Sequence, residues 1–237
     1  MQALVIIPTY NELENIENIT TEVLATDPSL SVLVVDDNSP DGTGGLVKKM
    51  SEKNPRVHLL HREKKQGLGK AYLAGFDWGL QKGFEILVEM DADFSHRPVD
   101  LKPLLDKIRL EKFDFAVGSR YVSGGSTVNW GIGRKIISRG GSLYSRIILG
   151  FPVNDWTGGF NAWTPSCLSR IKLGDVSSNG YGFQVELKYR ALISGCRGIE
   201  VPITFEERRV GKSKMSLAII LEAFYKVWFF RIRLPRR

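Results

Sequence analysis

A single α/β domain, with a mostly parallel sheet and helices on both faces, is the fold that the sequence predicts. Three observations lead to it. Short, nearly continuous apolar runs recur through the first half of the chain, longer amphipathic stretches separate them, and polar clusters follow four of the runs. Unbroken β-branched runs fit strands covered on both faces, and their alternation with helices fits parallel crossovers. With 237 residues, 43% of them hydrophobic, the chain can bury one substantial core.

The elements follow in order. The runs are Ala3–Ile7, Val32–Val35, Val57–Leu60, Ile86–Met90 and Phe113–Val117. Helices are predicted near Glu12–Ala25, Gly42–Lys53, Leu68–Gln81 and Val99–Leu110. In such sheets ligands bind beyond the carboxyl ends of the strands. Pro8-Thr9-Tyr10-Asn11-Glu12 follows the first run, Asp36-Asp37-Asn38-Ser39 the second, Asp91-Ala92-Asp93 the fourth and Gly118-Ser119-Arg120 the fifth. Turn chemistry accounts for Asn38–Gly42, but not for paired carboxylates at two separate strand ends. The second half is less regular. It offers a Gly-rich loop over Gly124–Gly133, a mixed basic and apolar stretch over Arg134–Leu149, a late strand over Ile199–Phe205 and a terminal helix over Leu217–Ile232.

Charge and composition narrow the partners. The net charge of +7 points to an anionic partner: nucleic acid, anionic lipid or a phosphorylated substrate. Cys167 and Cys196 lie in apolar surroundings with no spacing motif and read as reduced core residues. No secretory signal is expected at Met1–Ile7, and no apolar run reaches the roughly 18 residues of a transmembrane helix.

Asp91 and Asp93 are the sharpest chemical signal. Two carboxylates one residue apart, just past a buried strand, can hold Mg²⁺ or Mn²⁺ against a diphosphate, because these ions prefer oxygen and share their shell with phosphates. The other reading is an Asx turn before the next helix. Asp36 and Asp37 end the second strand, where nucleotide-binding sheets place an acid. The G-x-G-x-x-G of dinucleotide-binding domains is missing after the first strand, which disfavours an NAD enzyme. Gly67-Leu68-Gly69-Lys70-Ala71 lacks the Walker spacing and reads as a helix N-terminus, with Lys70 an optional phosphate contact. His58, His61 and His96 show no metal-ligand spacing and are read as structural or surface residues.

Pro8-Thr9-Tyr10-Asn11-Glu12, Asp36-Asp37-Asn38-Ser39-Pro40-Asp41-Gly42-Thr43, Met90-Asp91-Ala92-Asp93-Phe94-Ser95-His96 and Gly118-Ser119-Arg120-Tyr121 occur together and in order. Asp155-Trp156-Thr157-Gly158-Gly159-Phe160, Val201-Pro202-Ile203-Thr204-Phe205, Arg208 and Gly211-Lys212-Ser213-Lys214 follow. This set resembles glycosyltransferase family 2, and within it the dolichol- or polyprenol-phosphate mannose synthases, over nearly the whole chain. The resemblance implies a GT-A-type, Rossmann-like domain over 1–215 and an inverting transfer of mannose from GDP-mannose to a polyprenyl phosphate. It implies that Pro8, Tyr10, Glu12, Val35 and Asp37 hold the nucleotide, and that Asp91, Ala92 and Asp93 meet the metal and diphosphate. Ser95 stands where the third metal position is commonly Gln. Arg120, Arg134 and Ser138 match acceptor-phosphate positions, and Arg208 and Lys214 match a loop that closes on the donor. Asn161 stands where the family often has Arg, so no charge recognition is assigned to it.

A lipid monophosphate suits this reading, because its second pKa of about 6 makes it an anionic nucleophile near neutral pH and no base need be found. The tail offers two readings. Leu217, Ile220, Leu221, Phe224 and Trp228 recur at helical spacing, Glu222 and Lys226 form an i,i+4 pair, and Arg231, Arg233, Arg236 and Arg237 follow. An apolar face with a basic end fits an interfacial helix over 216–237, at the cytoplasmic face of a membrane and peripheral to it; packing on the sheet is the plainer alternative. The same pair of readings applies to Ile136, Ile137, Leu143, Ile147 and Ile148 among Arg134, Lys135, Arg139 and Arg146. A UDP-glucose-dependent sister enzyme is the first rival, since base and sugar identity rest on few contacts, and a partner subunit stays open. A nucleic-acid-binding module is the second, disfavoured because Asp36, Asp37, Asp91 and Asp93 would repel a phosphate backbone.

Overall fold

The computed structural model describes residues 1–178, 180–207 and 217–234. Arg208, Lys214, Arg236 and Arg237 lie outside the described residues, as do the side chains of 217–223. The first half follows the predicted alternation. Strand β1 (Ala3–Thr9) leads to α1 (Leu13–Thr26), β2 (Leu30–Asp36) to α2 (Thr43–Lys53), and β3 (Val57–His61) to α3 (Leu68–Gln81). Strand β4 (Ile86–Glu89) leads through a 3-10 turn at Pro98–Asp100 to α4 (Leu101–Arg109), and β5 (Phe115–Ser119) follows. The alternating pattern of β1 explains the layers. Ala3, Val5 and Ile7 pack with Ile16, Ile19 and Leu104 on one face, while Leu4 and Ile6 pack with Tyr72 and Phe76 on the other. Helix α3 lies close on the sheet because Gly75 and Gly79 leave room there; a Cβ at Gly75 would sit 2.4 Å from Ile6.

The second half adds β6 (Ser126–Val128), α5 (Ile132–Leu149), β7 (Asn161–Trp163) and α6 (Pro165–Ile171). After these come α7 (Gly180–Ile193), β8 (Gly198–Pro202), β9 (Thr204–Glu206) and α8 (Leu217–Arg233). The main sheet runs β3-β2-β1-β4-β7-β5-β8 and is parallel except for β7, which pairs antiparallel with β4 and β5. The predicted late strand divides in two: β8 extends the main sheet, and β9 pairs with β6 inside the stretch read as a Gly-rich loop. Strands β7 and β6 and helices α6 and α7 were not predicted. From β1 the chain moves outward through β2 to β3 and then returns to β4 on the other side, so the carboxyl ends of β1 and β4 flank the switch point where open sheets bind ligands.

Helix α8 packs against α5 and α7 and keeps part of its apolar surface exposed. Val227 and Phe230 are buried with Leu149, Trp156 and Tyr189, while Phe224, Tyr225, Trp228, Phe229 and Ile232 are exposed. No described helix is long and apolar enough to cross a membrane. Cys167 and Cys196 are free and buried, as read from the sequence.

Candidate active site

The loops after β1, β2 and β4 meet at one edge of the sheet. Side chains at their bases tie them together. Asp36 is buried and accepts from the Thr9 hydroxyl at 3.0 Å and from the Ser39 backbone N–H at 3.1 Å. The Ser39 hydroxyl in turn accepts from the Asn11 N–H, and Asp41 accepts from the N–H groups of Leu13 and Thr43. Asp36 is therefore a loop anchor, and its neighbour Asp37 is the acid that turns toward charge. Arg62 pairs with Asp37 at 2.8 Å, and burial raises the Asp37 carboxyl above its ordinary range against that pull. Tyr10 is half-buried, with the Lys65 ammonium 3.7 Å from its ring centroid. Glu12 accepts from the Asn15 amide, while Pro8 and Val35 complete the floor, Val35 fully buried. Gly67 enters α3 at φ 97°, which fits a glycine at a tight helix entry, and Lys70 is exposed.

The turn after β4 is strained. Phe94 has φ 61°, a left-handed conformation that bulky residues rarely take and that clusters at functional sites. This bend lets Asp93 Oδ1 accept the Ser95 N–H at 3.1 Å, so the Asx turn and the acid pair coexist. Ala92 and Asp93 are buried, and Asp91 stays partly exposed with the Tyr72 hydroxyl 3.3 Å away. His96 is buried between Phe160 and Phe205, and its Nδ1 accepts the Asp91 N–H at 3.1 Å. Burial holds that imidazole down at about 4, so it is neutral and structural. Among the described residues no cluster of three or more His, Cys, Asp or Glu side chains could hold a metal alone. The buried Ser95 hydroxyl has no hydrogen-bond partner. Two carboxylates beside an orphaned hydroxyl are an all-oxygen set of the kind that Mg²⁺ or Mn²⁺ accepts when phosphates complete the shell.

A basic wall faces the same edge. Arg134, in the first turn of α5, stacks on Trp130 at 4.1 Å from the ring centroid and pairs with Glu207 at 2.6 Å. The Ser138 hydroxyl, one turn on, accepts from Tyr121 at 2.7 Å. Arg120 is buried and committed. Its Nε and Nη2 donate to Asp155 at 2.7 Å each, and Nη2 also reaches Thr157. Ring contacts join this wall to the acid turn: His96 meets Phe205, Phe205 meets Trp130, and Trp130 carries Arg134.

Sequence reasoning named Tyr121 and Asp155 within their motifs but gave them no role, and it missed Trp130, Glu207 and a buried cluster behind the wall. Glu89 accepts from Asn161, Trp163 and Gln184, and burial raises it to about 7. A charge inside the apolar run Ile86–Met90 was the available signal.

An open, mostly parallel sheet with an acid turn at its switch point and a basic wall beside it defines a glycosyltransferase domain of the GT-A type. The chain belongs to glycosyl transferase family 2, whose family model matches residues 4–167. It is 50% identical to a polyprenol monophosphomannose synthase of Mycolicibacterium smegmatis, over 99% of this chain and 89% of that protein. It is 49% identical to an undecaprenyl-phosphate mannosyltransferase of Micrococcus luteus, over 96% of this chain and 93% of that protein. Among solved structures, a mannosyltransferase from Pyrobaculum calidifontis in complex with GDP-Man and Mn²⁺ superposes with a TM-score of 0.64 at 20% identity, covering 98% of this chain and 64% of that one.

Proposed function

We propose that the protein transfers mannose from GDP-mannose to a polyprenyl phosphate, with inversion, at a membrane surface. The continuity of the two walls carries this reading: the Asp91–Asp93 turn and Arg134 belong to one site, joined through His96, Phe205 and Trp130. An acid turn suited to a cation–diphosphate pair beside a stacked arginine supports a reaction between a diphosphate donor and a second phosphate. The names of the two relatives at half identity support mannosyl as the group and a polyprenyl phosphate as the acceptor.

In this reading Pro8, Tyr10, Glu12, Val35 and Asp37 line the nucleotide side, with Arg208 and Lys214 contributing from outside the described residues. Asp91, Asp93 and Ser95 hold Mg²⁺ or Mn²⁺, with Ala92 between them. When bound, the ion offsets the charge of the donor diphosphate and of the departing nucleoside diphosphate. Arg134 takes the acceptor phosphate at the positive end of α5, with Ser138 beside it. Arg120 supports them from behind through Asp155 and Thr157. The phosphate oxygen attacks the anomeric carbon as an anion, so no residue removes a proton, and an α-linked donor yields a β-linked product.

The exposed apolar residues of α5 and α8 support peripheral contact with the lipid. Ile132, Ile136, Leu143 and Ile147 on α5 are exposed, and α8 joins them where Tyr144 stacks on Phe224 at 4.0 Å. A panel of nucleotide sugars, assayed with polyprenyl phosphate with and without EDTA, tests the proposal. GDP-mannose should give a lipid-soluble, EDTA-sensitive product. A higher kcat/KM with UDP-glucose would replace the donor and leave the fold untouched.

A further inference from the structure

Lys188 is fully buried in α7, and its ammonium faces the turn 155–158 from below. It donates to the carbonyl of Trp156 at 3.1 Å and to that of Gly158 at 2.7 Å. A buried ammonium is costly unless its hydrogens and charge are met, and here carbonyls meet the hydrogens while Asp155 and Glu89 offset the charge. Burial still pushes the amine down to about 8.

The turn that Lys188 grips has three outward connections. Asp155 holds Arg120 through two side-chain bonds and accepts the Arg120 backbone N–H at 3.0 Å. Thr157 accepts from Arg120 Nη2 at 3.0 Å. The Trp156 N–H donates to Ser142 on α5 at 3.3 Å, one turn beyond Ser138. The Gly158 N–H closes the turn on Asp155 Oδ1 at 2.9 Å. Glu200 on β8 fixes its entry by accepting the N–H groups of Asn154 and Asp155. The residue after Arg120, Tyr121, holds the Ser138 hydroxyl. These bonds lead to Arg120 and to the helix that carries Arg134 and Ser138, the residues read above as the acceptor side.

We propose that Lys188 is a positioning residue for the acceptor phosphate: by clamping the Trp156 and Gly158 carbonyls it sets the turn that orients Arg120 and seats α5 beneath Arg134 and Ser138. It touches neither substrate. The inference rests on the acceptor assignment made above, and goes beyond it by adding a residue from a helix with no role in that assignment. Replacing the ammonium by an apolar group of similar length takes this donor from the Trp156 carbonyl, leaves the Gly158 carbonyl only the longer bond from the Asn161 amide at 3.3 Å, and lets the turn move. The loss is felt on one side of the reaction.

The test is bisubstrate kinetics on Lys188→Met and Lys188→Gln, with polyprenyl phosphate as acceptor, beside melting temperatures. For Lys188→Met the acceptor KM should rise about tenfold, the size of one lost charge-assisted hydrogen bond, while the donor KM stays within about twofold. Lys188→Gln keeps N–H donors without the charge and should fall between that variant and wild type. If Lys188→Met is not recovered folded, the same split in Lys188→Gln decides. Donor and acceptor KM rising together would overturn the inference, as would a lower melting temperature with both constants unchanged. A wild-type enzyme that transfers nothing to polyprenyl phosphate would instead remove the acceptor reading itself.

Discussion

The acid turn of the site is held chiefly by bonds between neighbours in sequence, the basic wall by bonds between distant ones. Asp93 bonds Ser95 and the Asp91 N–H bonds His96, with separations of two and five residues. Asp36, at the base of the neighbouring loop, bonds both Ser39, three residues on, and Thr9, 27 residues back. Arg120 reaches Asp155 across 35 residues, Arg134 reaches Glu207 across 73, and Ser119 reaches Glu200 across 81. A wall made locally keeps its shape when one ligand atom is changed. A wall made from a charged network spreads each change through its partners, because residues in one network do not contribute additively.

The largest expected effect is on the acid wall. Asp93→Asn keeps an oxygen for the Ser95 N–H but removes the charge that a cation needs. Turnover should fall by about a thousandfold, as for other losses of transition-state charge stabilisation, with the melting temperature nearly unchanged. Wild-type turnover with the metal buffered would take the cation away from this turn. Next comes Arg134→Ala, which removes the ion-pair partner of Glu207 and the cation stacked 4.1 Å from the Trp130 ring centroid. Loss of a charge-assisted phosphate contact should raise the acceptor KM by about ten- to a hundredfold. A change confined to the donor KM would move Arg134 to the other wall.

These differences also explain what could be read in advance. The first five strands and four helices were legible because each is a local pattern, and so was the acid pair, which follows one buried strand. Helix α7 was not legible. Phe183, Gln184, Val185, Glu186, Leu187 and Lys188 are all buried, so it shows no polar face to mark its period. Strand β7 has three residues and depends on β4 and β5 for its pairing, and among the described residues β6 pairs only with a strand 78 residues later. Arg120 could be named as a site residue, but its commitment to Asp155 could not, since no spacing rule joins them.

A smaller effect is expected on the apolar surface of α8. Ile232 is 70% exposed, so Ile232→Glu should leave the melting temperature alone. Binding to anionic vesicles, measured by flotation, should weaken about three- to tenfold. Unchanged flotation would place the lipid contact elsewhere.

The smallest effect probes a long-range tie in the locally bonded half. Burial raises the Asp27 carboxyl, but hydrogen bonds from Arg109, 82 residues away, and from Ser29 outweigh it and hold the group at about 2, below its ordinary 3.8. A depressed carboxyl stabilises the fold above its unfolded pKa and ceases to as pH falls through its folded one. Asp27→Asn should therefore cost about 1 kcal/mol at pH 7, and the difference from wild type should vanish between pH 3.8 and about 2. Denaturant unfolding across that window checks it, and a difference that persists at pH 2 would assign the effect to packing.

That the two walls bind different substrates is tested most directly by calorimetric titration of GDP-mannose, with Mn²⁺ present, into wild type, Asp93→Asn and Arg134→Ala. The account predicts that Asp93→Asn loses metal-dependent nucleotide binding, while Arg134→Ala binds the nucleotide sugar as wild type does. Equal loss in both variants, or loss in Arg134→Ala alone, would contradict it.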